Sequence, residues 1–212
     1  MKVGVLSLQG DYREQAMAID GLPGVETVSM VRDRAGLEGV DALMMPGGES
    51  TSISDLLDVT DLREPLEARI RDGLPVLATC AGLILLAKRV DRSRAGDDPK
   101  PLGVIDVALR RNDYGRQADS FEADVRVEGL ARPFPGVFIR APRLTAVGAG
   151  VERFARYGSE VVGVRKGSIW GLTFHPELSP DRRLHELWLR AIGQRPVRRT
   201  PARKRAGRAR GR

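Results

Sequence analysis

The chain has 212 residues, 42% hydrophobic and 30% charged, the proportions of an ordinary globular domain. That length suits one domain with a short extension, and no apolar run approaches the ~20 residues a bilayer-spanning helix needs. A single cysteine excludes a disulfide framework and a multi-cysteine zinc site, and two histidines, His175 and His185, leave little for a histidine metal site. The expectation is a cytoplasmic, metal-free protein that does not span a membrane.

In chain order, Val3–Leu8 is a short apolar run, a first strand and not a signal peptide, because it has no small-residue cleavage site. It ends in Gln9-Gly10-Asp11. Tyr12–Ile19 has helical periodicity, Val25–Val31 predicts a second strand and Asp41–Met45 a third, stopped by Pro46-Gly47-Gly48. Ser50–Asp58 and Asp61–Arg71 predict helices, with Pro65 tolerable in a first turn. Leu74–Ala78 is a nearly all-apolar fourth strand, and Leu83–Arg89 a helix after it. Apolar strands alternating with helices predict a mostly parallel open sheet covered on both faces.

After Val90 the pattern changes. Asp91–Lys100 is a polar loop. Strand candidates then crowd together: Leu102–Leu109, Phe121–Val127, Val137–Ile139, Leu144–Val147, Val161–Val164 and Ile169–Leu172. They should add antiparallel strands to the sheet. Leu184, Leu187, Trp188 and Ala191 make an apolar stripe on a last helix, with Ser179 as its cap and Pro180 at its first position.

The net charge of +7 belongs to the end of the chain. Residues 194–212 hold nine basic side chains and no acidic one, which leaves −2 for residues 1–193. Two units follow: a folded domain over 1–193 and a basic, disordered tail over 194–212 that cannot bury enough to offset its ordering entropy. The tail is either a solvated extension or a non-specific contact for polyanions.

The chemistry gathers at three places. Cys80 sits between an apolar strand and an apolar helix, in Thr79-Cys80-Ala81-Gly82. Alone it would pass for a small core residue. On a strand-to-helix turn it projects from the carboxyl end of the sheet, with following backbone N–H groups facing a developing oxyanion. His175 and Glu177, in His175-Pro176-Glu177, offer a base and a carboxylate to orient it, and Pro176 should hold both side chains on one side of an extended segment. His185 falls within the last helix and is a surface or packing residue. Pro46-Gly47-Gly48-Glu49-Ser50 lets backbone approach a ligand closely. Arg111, in Arg111-Asn112-Asp113-Tyr114-Gly115-Arg116-Gln117, and Arg140, in Phe138-Ile139-Arg140-Ala141-Pro142, could each hold an α-carboxylate.

The order Pro46-Gly47-Gly48-Glu49-Ser50, Thr79-Cys80-Ala81-Gly82, His175-Pro176-Glu177 resembles the class I, triad-type glutamine amidotransferases. Leu8-Gln9-Gly10-Asp11, Gly48-Glu49-Ser50-Thr51, Arg111 through Gln117 and Phe138-Ile139-Arg140-Ala141-Pro142 resemble, within that class, the glutaminase subunits of pyridoxal 5′-phosphate synthase. The likeness runs from Lys2 to Ile192. It implies a flavodoxin-like single α/β domain that hydrolyses L-glutamine and passes ammonia to a barrel-shaped synthase subunit, without metal or cofactor. By position it implies Cys80 as nucleophile, His175 and Glu177 as its relay, and Gly48, Glu49, Ser50, Arg111, Ile139 and Arg140 as glutamine contacts. Backbone N–H groups of Gly47, Gly48 and Ala81 would form the oxyanion site. One position departs: where the family has Gly two residues before the nucleophile, this chain has Ala78. Two alternatives stand beside this reading, a cysteine hydrolase of related fold acting on another amide, and a polyanion-binding protein that uses the basic tail.

Overall fold

The computed structural model describes residues 1–91, 98–111 and 120–194. The chain runs β1 (Lys2–Leu6), α1 (Tyr12–Ile19), β2 (Thr27–Val31), α2 (Arg34–Glu38), β3 (Ala42–Met45), α3 (Ser50–Val59), α4 (Arg63–Arg71), β4 (Val76–Thr79), α5 (Ala81–Leu86) and β5 (Ala87–Val90). It continues with β6 (Ile105–Arg110), β7 (Phe121–Val127), β8 (Phe134–Phe138), β9 (Arg143–Val147), β10 (Glu152–Tyr157), β11 (Glu160–Lys166), β12 (Ile169–Leu172), a 3-10 turn over Pro176–Leu178 and α6 (Arg183–Gly193).

Among the described residues one large sheet has the order β2-β1-β3-β4-β12-β11-β10-β7-β8, and a small one the order β5-β6-β9. The strands from β2 to β12 pair in parallel, and those from β12 to β8 are antiparallel. The expected mixed α/β fold is therefore present, a parallel half extended by an antiparallel half. Strand alternation divides the core. Leu43, Met45, Val76 and Ala78 face one apolar cluster with α3, α4 and α5, whereas Ala42, Met44 and Leu77 face another with Ile19, Trp188 and the Phe134–Phe138–Phe174 aromatic group.

This topology positions the site. The carboxyl ends of β1, β3, β4 and β12 lie at one edge of the sheet, so the segments after them converge there. Those segments are Ser7–Asp11, Pro46–Glu49, Cys80 and Thr173–His175. No helix among the described residues is long and apolar enough to cross a membrane.

Several local expectations are corrected. The helix expected over Leu83–Arg89 spans Ala81–Leu86, and the chain then extends to pair β5 with β6. β10 lay between the expected strands. A bulge puts Phe154 and Ala155 both inside, which hides the alternation of a strand. α2 escaped notice because it is five residues long and contains Gly36; Asp33 caps it through the Gly36 N–H at 2.8 Å. Ser179 and Pro180 do not begin the last helix, whose first residue is Arg183. The Ser179 hydroxyl instead accepts from Asp181 N–H, and Asp181 accepts from Arg183 N–H. The buried face of α6 is Leu184, His185, Trp188, Leu189 and Ile192, with Leu187 and Ala191 only half-buried at its edge. His185 is therefore a core residue. The tail beyond Gln194, the Asn112–Gln117 stretch and residues 92–97 of the polar loop lie outside the described residues.

Candidate active site

Cys80 ends β4 and precedes α5 with φ 47° and ψ −104°, a conformation that costs an L residue energy and marks a sharp turn. Two hydrogen bonds hold it there. Its N–H donates to Leu172 O at 2.9 Å, and its carbonyl accepts from Ile84 N–H at 3.2 Å. Packing behind the turn is tight. A Cβ on Gly82 would lie 2.2 Å from Met45 O, and one on Gly171 would lie 2.4 Å from Leu83 Cδ1. Ala78, fully buried, is paired with Gly171, and Leu83 fills the space a side chain at Gly171 would take.

His175 is delivered by β12. Its N–H donates to Val137 O at 2.8 Å, a bridge that ties it to β8. Pro176 starts a 3-10 turn, so Glu177 reaches back to the imidazole from a turn and not from the extended segment expected. Glu177 Oε1 lies 2.8 Å from His175 Nδ1, and Asp11 Oδ2 lies 3.3 Å from the same nitrogen. Both carboxylates meet at Nδ1, and Cys80 is a further neighbour that favours the protonated ring. Burial disfavours the imidazolium, but Asp11, Cys80 and Glu177 outweigh it, and the His175 pKa stands well above its ordinary value. The ring is therefore poised to carry a proton beside a sulfur. Asp11, His175 and Glu177 also form a cluster of potential metal donors, but Nδ1 already faces two carboxylates as hydrogen-bond partners.

The glycine loop closes over this ring. Gly47 has no side chain where a Cβ would come within 2.2 Å of His175 Cε1. Its carbonyl accepts from Asp11 N–H at 3.1 Å, and a Cβ on Gly10 would lie 1.9 Å from that oxygen. The Gln9 side chain accepts from Glu49 N–H at 2.9 Å. The β1–α1 and β3–α3 loops are thus locked together. Glu49 caps α3 by accepting from Thr51 and Ser52 N–H, and Arg111 Nη2 donates to it at 3.0 Å. Burial opposes its ionisation, but the Ser52 and Thr51 N–H groups and Arg111 hold its pKa below the ordinary value.

The expected site residues fall into two groups. Cys80, Ala81, His175, Glu177, Gly47, Gly48, Glu49, Ser50 and Arg111 come together at one sheet edge. Ile139 and Arg140 follow β8 just beyond the bridge to His175; Ile139 is half-buried, and Arg140 is exposed with φ 43°. Asp11, Gln9, Gln15 and Thr79 were not singled out. Asp11 and Gln9 lie in Leu8-Gln9-Gly10-Asp11, where residue type alone assigns them no role. Gln15 carried a signal of its own: it occupies the core-facing position of a helix whose other inward residues are Ala18 and Ile19.

Comparison with known proteins fits this geometry. The sequence pattern of the SNO glutamine amidotransferase family matches residues 5–194. The chain is 50% identical over 189 residues to the pyridoxal 5′-phosphate synthase subunit PdxT of Mycobacterium ulcerans (strain Agy99), covering 89% of this chain and 94% of that one. It is 49% identical over 198 residues to the subunit of the same name from Corynebacterium jeikeium (strain K411), covering 93% and 100%. A solved structure titled as a glutamine amidotransferase superposes with a TM-score of 0.81 at 45% identity, covering 90% of this chain and 98% of that one. With a strained cysteine turn, a histidine flanked by two carboxylates and a locked glycine loop at one sheet edge, and with a match over nearly its whole described length, the chain belongs to the SNO glutamine amidotransferase family.

Proposed function

We propose that this protein hydrolyses L-glutamine to L-glutamate and ammonia and delivers the ammonia to a synthase subunit that makes pyridoxal 5′-phosphate. The observation that carries the reading is the convergence of Cys80, His175 and Glu177 on a strained turn, in a chain of the SNO glutamine amidotransferase family. Half-identical relatives named as pyridoxal 5′-phosphate synthase subunits support the pathway.

The Cys80 thiolate attacks the side-chain amide carbon of glutamine. Backbone N–H groups of Gly47, Gly48 and Ala81 receive the oxyanion. The imidazolium of His175 gives its proton to the departing nitrogen, so ammonia leaves and a glutamyl thioester remains on Cys80. Water then loses a proton to His175 as it attacks the thioester, and glutamate leaves with the thiolate restored. Glu177 keeps Nδ1 protonated and Nε2 toward the sulfur. Gly48, Glu49, Ser50, Arg111, Ile139 and Arg140 hold the amino acid. Glu49 does so already joined to Arg111, so the pair acts as one unit.

The synthase partner is a barrel that consumes the ammonia before it is protonated in bulk water. Residues 1–193 are the catalytic domain, working in the cytoplasm, and 194–212 an accessory basic extension with non-specific affinity for polyanions. Family membership does not favour a hydrolase of other amides or a polyanion-binding protein. The test is glutamine hydrolysis with and without the cognate synthase subunit, alongside labelling by an electrophilic glutamine analogue. One equivalent of label on Cys80 and synthase-coupled turnover are expected. A Cys80→Ala variant that still hydrolyses glutamine overturns the reading.

A further inference from the structure

Behind Glu177 lies a buried polar chain that the reaction does not use directly. Thr79 is the last residue of β4, fully buried, and alternation turns it to the same face as Leu77, toward α1. Gln15, fully buried on α1, donates from Nε2 to Thr79 Oγ1 at 2.9 Å. Thr79 Oγ1 in turn lies 3.5 Å from Glu177 Oε1. The donors have one direction. The Gln15 amide nitrogen can only donate, so the Thr79 hydroxyl accepts from it and sends its own hydrogen to the carboxylate. Glu177 Oε1 therefore receives the Thr79 hydroxyl on one side and His175 Nδ1, at 2.8 Å, on the other. A polar glutamine on the core face of a helix would otherwise be a needless desolvation cost.

Asp11 gives the arrangement a purpose. Its Oδ2 stands 3.3 Å from the same imidazole nitrogen, so the ring has two carboxylates to choose between. Asp11 is about one-third exposed, whereas the Glu177 side chain is fully buried. A tethered carboxylate holds the ring at one angle; an untethered one would share it with Asp11 and swing Nε2 away from the sulfur. We infer that Gln15 and Thr79 are positioning residues that fix the Glu177 carboxylate, and through it the His175 ring, for proton transfer at Cys80. This inference rests on the proposed glutaminase reading.

The test is steady-state glutamine hydrolysis by the full chain in complex with the cognate synthase subunit. Thr79→Val should lower kcat about threefold, less than a short charged hydrogen bond is worth because the contact is 3.5 Å long, with KM changed by less than about twofold. Thr79→Ser, which keeps the hydroxyl, should restore kcat. Gln15→Leu should lower kcat by a smaller factor in the same direction. In a Glu177→Gln background both effects should vanish, because a residue acting through Glu177 has nothing left to position. A Thr79→Val kcat equal to the parent overturns the inference, as does an undiminished loss in the Glu177→Gln background. If Thr79→Val does not fold by thermal denaturation, Gln15→Leu in the two backgrounds carries the same comparison. Cys80→Ala is the separate control: its inactivity upholds the glutaminase reading whatever Thr79 does, and its activity overturns that reading together with the inference.

Discussion

His175 and His185 lie ten residues apart and are both shut off from solvent, at 3% and 0% exposure, yet their pKa values shift in opposite directions. His175 sits at the carboxyl edge of the sheet between two carboxylates and a cysteine, and its pKa is raised. His185 sits within α6 among Leu184, Trp188 and the sheet, with neither ring nitrogen hydrogen-bonded among the described residues. Burial, helped by the Arg182 cation, pushes its pKa down to about 4. Burial alone thus neutralises an imidazole, and partners at hydrogen-bonding distance are needed to reverse it. At His175 the partners favour the protonated ring, whereas at His185 the fold accommodates only the neutral one.

The sharpest way to break this comparison is to remove each ring. His175→Ala should lower synthase-coupled glutamine hydrolysis by on the order of 10⁴- to 10⁶-fold. Glu177→Gln should be less damaging by roughly a hundredfold, since an unoriented imidazole still accepts a proton. His185→Leu should stay near the parent rate. Equal losses at the two histidines would place the base at the wrong one.

A smaller effect is expected from crowding the ring. Gly47→Ala puts a Cβ 2.2 Å from His175 Cε1, so the ring must shift. A displacement of this size should cost about a hundredfold in kcat, while unfolding in denaturant shifts little. Retained kcat would mean that the ring position is not critical.

The pH dependence of folding sharpens the contrast, with opposite signs for the two rings. His185 binds its proton in the unfolded chain near pH 6.5 but in the folded chain only near pH 4. The unfolded state therefore holds more protons between these values, and stability falls as pH drops from about 6.5 toward 4, by about 3 kcal/mol in total. His175, with a raised folded pKa, works the other way: its contribution is complete below the ordinary histidine value and fades as pH rises through the folded value. Urea denaturation at pH 5 and pH 7 should show a smaller loss for His185→Leu than for the parent. Identical losses would place the acid sensitivity elsewhere.

The smallest effect should come from truncation after Gly193. α6 ends there, and its buried face is complete by Ile192. Thermal midpoint and synthase-coupled activity should hardly change. Retention on a polyanion column should fall, in a salt-dependent way, because nine basic side chains are removed. A large loss of coupled activity would make the extension a docking element for the synthase.

How much was legible depended on how local the signal was. The parallel half was readable almost element by element, because strands buried on both faces are continuous apolar runs and their loops carry glycine and proline. Cys80 and the His175-Pro176-Glu177 stretch stood out because their chemistry is unusual for their position. The antiparallel half was less readable. β10 exposes Glu152, Arg153, Arg156 and Tyr157, and its bulge breaks the alternation. His185 was placed on the last helix, but its burial depended on which side of α6 met the sheet.

By itself the sequence determined the α/β class, the family resemblance, the three residues expected to act, and the separation of charge between body and extension. These follow from runs, spacings and residue types that are readable along the chain. Only the tertiary structure decided that two carboxylates meet one imidazole nitrogen, that Gly47 is needed to make room for that ring, and that Gln15 reaches Glu177 through Thr79. The reason is physical: such contacts join residues far apart in the chain, and they exist only once parallel pairing brings the ends of β1, β3, β4 and β12 to the same edge.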